Sequence, residues 1–306
     1  MPSASEVSAT GAAAPVGCAD RAPGVRWLTL AQPERRNALS SAMIAALQDH
    51  LDGASADDAV RVVVLAAEGP VFSSGHDLRE LRALSGDDPV ETAGAEGPVF
   101  SSGHDLRELR ALSGDDPAGS ASAERCLPVF VDCSRMMATI VRMPKPVIAC
   151  VQGLATAAGC QLAASCDLVV AAESAAFATP GVDLALFCST PAVALGRSIG
   201  RKAAMEMLLT GERIPARRAY ELGLVNRVVP DAELEARTGE LASKVAARSP
   251  LAVAVGKTTF YRQLEQGLEE AYRQTSEVMA RNLLSDDARE GIDAFFEKRP
   301  ASWRGR

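Results

Sequence analysis

Two apolar runs, 61–67 and 146–151, each pass directly into a glycine-bearing turn and then a helix-like stretch, and this pairing limits the fold more than any other feature. The second run is Pro146-Val147-Ile148-Ala149-Cys150-Val151, followed by Gln152, Gly153 and a row of small residues up to Gly159. Runs this short and this apolar read as buried strands, and their alternation with helical stretches argues for an α/β fold. Gly153 and Gly159 allow close backbone approach, and a helix is expected from Cys160 to Cys166. Its first N–H groups and the positive end of its dipole would face whatever lies ahead of the turn. Such a turn makes one half of an oxyanion hole. The same pattern also serves a close-packed strand, turn and helix with no chemistry.

The first run leads through Glu68 and Gly69 to Ser73-Ser74-Gly75-His76-Asp77-Leu78. Asp77 with Glu80 three residues on has the form of a helix N-cap and its box partner. The N–H of His76 would then face out of the turn, and two such turns can bracket one carbonyl oxygen. The segment is duplicated: residues 67–89 are identical to residues 95–117, at an offset of 28. Two copies alone do not make a solenoid. The first copy continues directly from the apolar run, so it is expected to supply the donor, His76, with His104 as the alternate. The other copy would loop out within a Ser/Gly/Asp-rich stretch of about 84–125.

These segments, in this order, resemble the crotonase (enoyl-CoA hydratase/isomerase) superfamily. Three further stretches extend the resemblance along most of the chain: 28–40, which includes Arg35-Arg36-Asn37-Ala38; Ala176-Phe177-Ala178-Thr179-Pro180-Gly181-Val182; and Leu209-Thr210-Gly211-Glu212 with 219–226. The resemblance implies a spiral of ββα repeats, an α/β fold, with a C-terminal helical trimerisation region. It implies an acyl-CoA thioester as substrate, with coenzyme A entering only as part of that substrate and no tightly bound cofactor. Backbone N–H groups of His76 and Ala158 would hold the thioester oxygen as an enolate forms. Contacts with coenzyme A would come from Arg35, Arg36, Ala38, Ser74, Asp77, Leu78 and Lys257.

The chain departs from the family at two catalytic positions. Where hydratases carry glutamates that manage water and the α-proton, this chain has Gln161 and Gly181. General acid–base groups contribute roughly 10²–10⁴-fold each, so ordinary hydration is expected to be weak or absent. Asp183, two residues past Gly181, would share its face if the segment were a strand, and is the candidate substitute base. Enolate chemistry without the glutamate pair (isomerisation, decarboxylation, thioester hydrolysis) and acyl-CoA binding without turnover, in a regulatory role, both remain open.

A tail over 1–24 rich in Ala, Ser, Gly and Pro is expected to be disordered, a core to span 25–195, and a helical region to span 196–306. Within the last, helices are expected over 201–209, 216–222, 231–247, 250–286 and 290–298. The net charge of −7 and the absence of a long basic run argue against nucleic-acid binding. Seven cysteines without paired spacing argue against a disulfide framework or zinc, and three scattered histidines indicate no metal site. No apolar run is long enough to span a membrane. The expected setting is soluble and intracellular: the mitochondrial matrix if eukaryotic, through the resemblance, and otherwise the cytoplasm. The expected assembly is a homotrimer or dimer of trimers.

Overall fold

The computed structural model describes residues 14–69, 99–101 and 120–306. Its architecture is a repeated ββα turn in which each repeat puts one strand into a large sheet and the next into a small one. Strand β3 (Val62–Ala67) is followed by β4 (Val99–Ser101) and helix α2 (Ser120–Arg142). Strand β5 (Val147–Val151) is followed by β6 (Leu154–Thr156) and α3 (Ala158–Ser165). Strand β7 (Leu168–Ala172) is followed by β8 (Ala176–Ala178), a 3-10 turn (Pro180–Leu184) and α4 (Ser189–Ser198). Strands β3, β5 and β7 lie side by side and parallel in the large sheet, and β4, β6 and β8 do the same in the small one. This is the spiral expected from the sequence.

The large sheet is completed by a hairpin, β1 (Val16–Ala22) and β2 (Val25–Leu30), and by β10 (Arg227–Val229), in the order β1-β2-β3-β5-β7-β10. Strand β1 corrects the expectation of a disordered tail over 1–24 for residues 16–22, while 1–13 lie outside the described residues. It has no alternating apolar face, so its sequence reads as coil; backbone pairing to β2 and the Arg26–Asp20 ion pair at 2.8 Å hold it. A short β9 (Ile214–Pro215) closes the small sheet, antiparallel to β8.

Every residue of β5 is buried, and so is all of β3 except Ala67, as strands covered on both faces require. Helix α1 (Ser41–Ala56) begins at Ser40, whose hydroxyl accepts from the Met43 N–H at 3.3 Å. Its Met43, Leu47 and Leu51, one helical face, are fully buried with Met136 and Ile140 of α2. Helices α5 (Arg201–Thr210) and α6 (Ala216–Leu222) follow α4. Helix α7 (Leu234–Ala246) then crosses β2, β3, β5 and β7.

The remaining chain forms α8 (Pro250–Gln263), α9 (Leu268–Leu283) and α10 (Asp286–Glu297). The single helix expected over 250–286 is broken between Gln263 and Leu268, where Gly267 takes extended backbone at the start of α9. Among the described residues, no helix is long and apolar enough to cross a membrane, and no cluster of metal-binding side chains is present.

Candidate active site

The carboxyl ends of the parallel strands are tied together by side chains on the turns that follow them. After β2, buried Asn37 accepts from the Gln32 N–H at 2.8 Å and donates to the Glu68 carbonyl, just past β3. After β5, Gln152 donates to the Ala67 carbonyl at 2.7 Å. Open α/β sheets place their ligand sites at this edge. Arg35 and Arg36 sit exposed on the Asn37 turn, and Ala38 is half-buried beside them. Arg36 and Asn37 both have positive φ, 56° and 51°.

Helix α3 begins two residues before the sequence suggests. Its cap, Ala157, has φ 51° and ψ −119°, a backbone state that costs a residue with a Cβ about 1–3 kcal/mol. The Ala157 N–H donates to the Ala178 carbonyl at 3.0 Å, and the Ala157 carbonyl accepts from the Gln161 N–H at 3.0 Å. This conformation ends β6 and starts α3 with one residue between them. It also fixes the direction of the Ala158 N–H, which helix geometry leaves without an intrahelical acceptor. All eight residues of α3 are buried, so the helix presents its positive end within the protein, where a dipole is least screened.

Three buried side-chain oxygens on residues adjoining this turn in sequence or pairing, Thr156 Oγ1, Gln161 Oε1 and Thr179 Oγ1, have no hydrogen-bond partner among the described residues. Sequence reasoning singled out Gln161 and passed over both threonines. They are polar residues in otherwise small, apolar strands, and that was the available signal.

Gly181 lies in the 3-10 turn. A Cβ there would overlap the Leu186 carbonyl oxygen and stand 2.8 Å from Cys188 Sγ. The Leu186 N–H donates to the Gly181 carbonyl at 2.8 Å, so the loop folds back on the glycine. The space a side chain would enter is therefore filled by this chain's own backbone. Cys188 is buried, and burial pushes its thiol pKa up. Burial pushes the Cys160 thiol up to about 12. Neither cysteine is a nucleophile in this setting.

Asp183 departs from expectation. Pro180 opens a 3-10 turn rather than continuing a strand, so residues two apart do not share a face. Asp183 is exposed and its carboxylate lies against the Gly211 turn, with Oδ2 3.3 Å from where a Cβ on Gly211 would stand. Lys257, expected at a phosphate, is instead spent inside the protein. Its ammonium donates to the Ile140 carbonyl at 2.7 Å, the Lys145 carbonyl at 2.9 Å and Asp167 Oδ2 at 2.7 Å. All three N–H groups are thereby used. Burial pulls its pKa down, against the Asp167 charge. Tyr261 donates to the other Asp167 oxygen at 2.9 Å.

His76, His104, Ser74, Asp77 and Leu78 lie outside the described residues. One observation bears on the two copies of the repeat. The strand placed beside β6, pairing Val99 with Leu154 and Ser101 with Ala155, belongs to the second copy and stands three residues before His104. The sequence reading had put the first copy at the working position.

Comparison with known proteins gives two matches to the enoyl-CoA hydratase/isomerase family, over residues 25–92 and 90–306, meeting between the two copies of the repeat. The mouse (Mus musculus) enoyl-CoA hydratase domain-containing protein 3, mitochondrial, is 46% identical over 281 residues, 92% of this chain and 81% of that protein. The crystal structure of human enoyl-CoA hydratase domain-containing protein 3 superposes with a TM-score of 0.79 at 42% identity, covering 94% of this chain and 100% of that one. An enoyl-CoA hydratase of Mycobacterium smegmatis gives 0.80 at 43% identity, covering 94% and 98%. With the ββα spiral and these matches along nearly its whole length, the chain belongs to the crotonase (enoyl-CoA hydratase/isomerase) superfamily, on the side of enoyl-CoA hydratase domain-containing protein 3.

Proposed function

We propose that this protein binds acyl-CoA thioesters and holds the thioester oxygen at the start of α3, in fatty-acid or other lipid metabolism, without the acid–base pair that ordinary hydration uses. The observation that carries this reading is Ala157. A non-glycine residue is kept in a costly backbone state at the one place where it directs the Ala158 N–H from the end of a buried helix. A second donor is assigned to the N–H of His104 rather than His76. Each repeat leaves its small-sheet strand toward a helix, and the strand in that slot before α2 comes from the second copy. One oxyanion-hole donor contributes about 3–4 kcal/mol to the transition state.

The acid–base side is empty by the same geometry. Gln161 is an amide and takes up no proton at neutral pH. Gly181 has no side chain and no room for one. Asp183 lies exposed against the Gly211 turn. The site is therefore suited to stabilising an enolate left by loss of CO2 from the substrate and then protonated by solvent, or to holding the thioester unchanged. Arg35 and Arg36 are the cations assigned to the coenzyme A phosphates; Lys257 is not among them.

The exposed apolar side chains of α8–α10, including Phe260, Tyr272, Met279, Phe295 and Phe296, are assigned to contacts with further copies in a trimer. If the source is eukaryotic, the mitochondrion is the assigned compartment, by analogy with the mouse relative.

The test is calorimetric titration with butyryl-CoA beside a hydration assay on a short 2-enoyl-CoA, followed by loss of conjugated thioester absorbance. Saturable binding with turnover at background is expected. Turnover near the ordinary enzyme range of about 1–10³ s⁻¹ refutes the claim of a missing acid–base pair. No binding of any acyl-CoA refutes the whole reading.

A further inference from the structure

We infer that Asn37 is a positioning residue, which fastens the turn carrying Arg35 and Arg36 to the end of β3 so that the phosphates of coenzyme A meet a turn already shaped for them. The inference rests on the acyl-CoA reading above and adds to it the side chain that sets affinity for the nucleotide half of the substrate.

The turn between β2 and α1 is costly to hold. Pro33–Arg35 form a 3-10 turn, after which Arg36 (φ 56°, ψ 32°) and Asn37 (φ 51°) stand in succession in the left-handed region. Asparagine tolerates that region better than most residues, and arginine does not share the advantage. The Gln32 carbonyl accepts from the Arg35 N–H at 3.0 Å and from the Asn37 N–H at 2.9 Å, and the Pro33 carbonyl accepts from the Arg36 N–H at 3.0 Å. Joining a strand to a helix does not by itself require such backbone. It persists where the surroundings over-determine it, and it gathers at ligand sites.

Asn37 supplies the fastening. Its side chain is fully buried; its oxygen accepts from the Gln32 N–H at 2.8 Å and its amide donates to the Glu68 carbonyl at 3.3 Å. A steric contact lies beside this bond: Gly69 has φ 89°, and a Cβ there would stand 2.7 Å from Pro33 Cβ. Gln152 donates to the carbonyl of Ala67, the neighbour of Glu68. Two successive carbonyls at the end of β3 thus receive one amide from the arginine turn and one from the turn that leads to Ala157 and α3. The nucleotide end and the thioester end of an acyl-CoA are assigned to those two turns, so this pair of bonds sets the spacing between them. Asparagine meets each demand, with left-handed backbone, an acceptor and a donor. Aspartate has no N–H to give Glu68, and glycine has neither group. A turn fixed before binding spares the ligand the ordering cost.

The test is calorimetry on the full-length protein with butyryl-CoA and with butyryl-pantetheine, which carries the same thioester without the nucleotide. Asn37→Gly keeps the left-handed backbone without strain and removes both side-chain bonds. Gly69→Ala leaves Asn37 and both arginines in place and pushes Pro33 away from the end of β3. Each variant is expected to bind butyryl-CoA about tenfold more weakly than the parent, the scale of one hydrogen bond, with butyryl-pantetheine unmoved. Either variant decides alone if the other fails to fold. An equal loss for both thioesters assigns Asn37 to general integrity of the fold and overturns the inference. Unchanged butyryl-CoA affinity in a folded variant, or a parent that binds the two thioesters equally, overturns it as well and leaves acyl-thioester binding intact. Failure of the parent to bind either thioester overturns the proposed function instead.

Discussion

Replacing Gly181 by alanine tests whether the chain has closed the second glutamate position against any side chain. The added Cβ would overlap the Leu186 carbonyl oxygen and come within 2.8 Å of Cys188 Sγ and 3.3 Å of the Leu186 carbonyl carbon. Backbone on this scale does not swing aside as the tip of a long side chain does. Moving residue 186 also breaks its 2.8 Å bond to the Gly181 carbonyl. Overpacking costs about 1–3 kcal/mol, and the lost hydrogen bond about 1 kcal/mol more. A loss of roughly 2–4 kcal/mol is therefore expected, read from urea unfolding as a lower midpoint at constant slope. Gly196→Ala in α4 and Gly256→Ala in α8 are the controls. A Cβ at either meets nothing within 4 Å, and helix propensity makes each neutral or stabilising by about 0.5–1 kcal/mol. The functional corollary is that Gln161→Glu with Gly181→Glu hydrates enoyl-CoA no faster than Gln161→Glu alone. Full stability in Gly181→Ala, or a clear rate gain from adding Gly181→Glu, refutes the argument.

Lys257→Ala is expected to lower stability by about 3–5 kcal/mol, because it leaves Asp167 buried without its cation. Coenzyme A affinity should be unmoved, as titration of the folded variant will show; weaker binding at unchanged stability would return Lys257 to the phosphate site. If the proposed trimer forms, Phe295→Asp with Phe296→Asp should convert it to monomer by light scattering, since both rings stand more than three-quarters exposed in the single chain. An unchanged mass removes α10 from the interface. Asp287 accepts from Ser249, Arg304 and Gly305. Burial opposes its charge, but these bonds hold its carboxyl below its ordinary value of 3.8. A lowered folded-state pKa means the contribution is complete above 3.8 and is lost as pH falls through the folded value. Acid unfolding should therefore be steeper in the parent than in Asp287→Asn, as the pH dependence of urea midpoints will show.

The parallel strands were legible because burial on both faces leaves an uninterrupted apolar run, as in β3 and β5. Strand β1 was not, because Gly17-Cys18-Ala19-Asp20 has no face to bury and depends on a neighbour for its hydrogen bonds. The start of α3 was placed late because no polar cap announces it; Ala157 marks the boundary by backbone angles that side-chain chemistry does not encode. Asp183 was misread for a local reason, as Pro180 turned an expected strand into a 3-10 turn. Lys257 was misread for a distant one. The resemblance placed it at coenzyme A, and nothing near it in sequence announces Asp167, which folding brings from 90 residues away. The repeat could not be resolved by inspection at all. Its two copies are identical, and what distinguishes them is pairing with Leu154 and Ala155, far along the chain.

That the small-sheet strand belongs to the second copy has an entropic consequence. Among the described residues, β3 ends at Ala67 and the next strand begins at Val99, so residues 68–98 separate the two. Because the copies repeat at an offset of 28, excising one period would join β3 to the same strand through three residues, with no side chain altered in either sheet. Closure entropy rises as the logarithm of length, so a connection about tenfold longer costs roughly 2 kcal/mol more to close. The protein carries that cost in every folding event, for a segment whose residues it already possesses a second time.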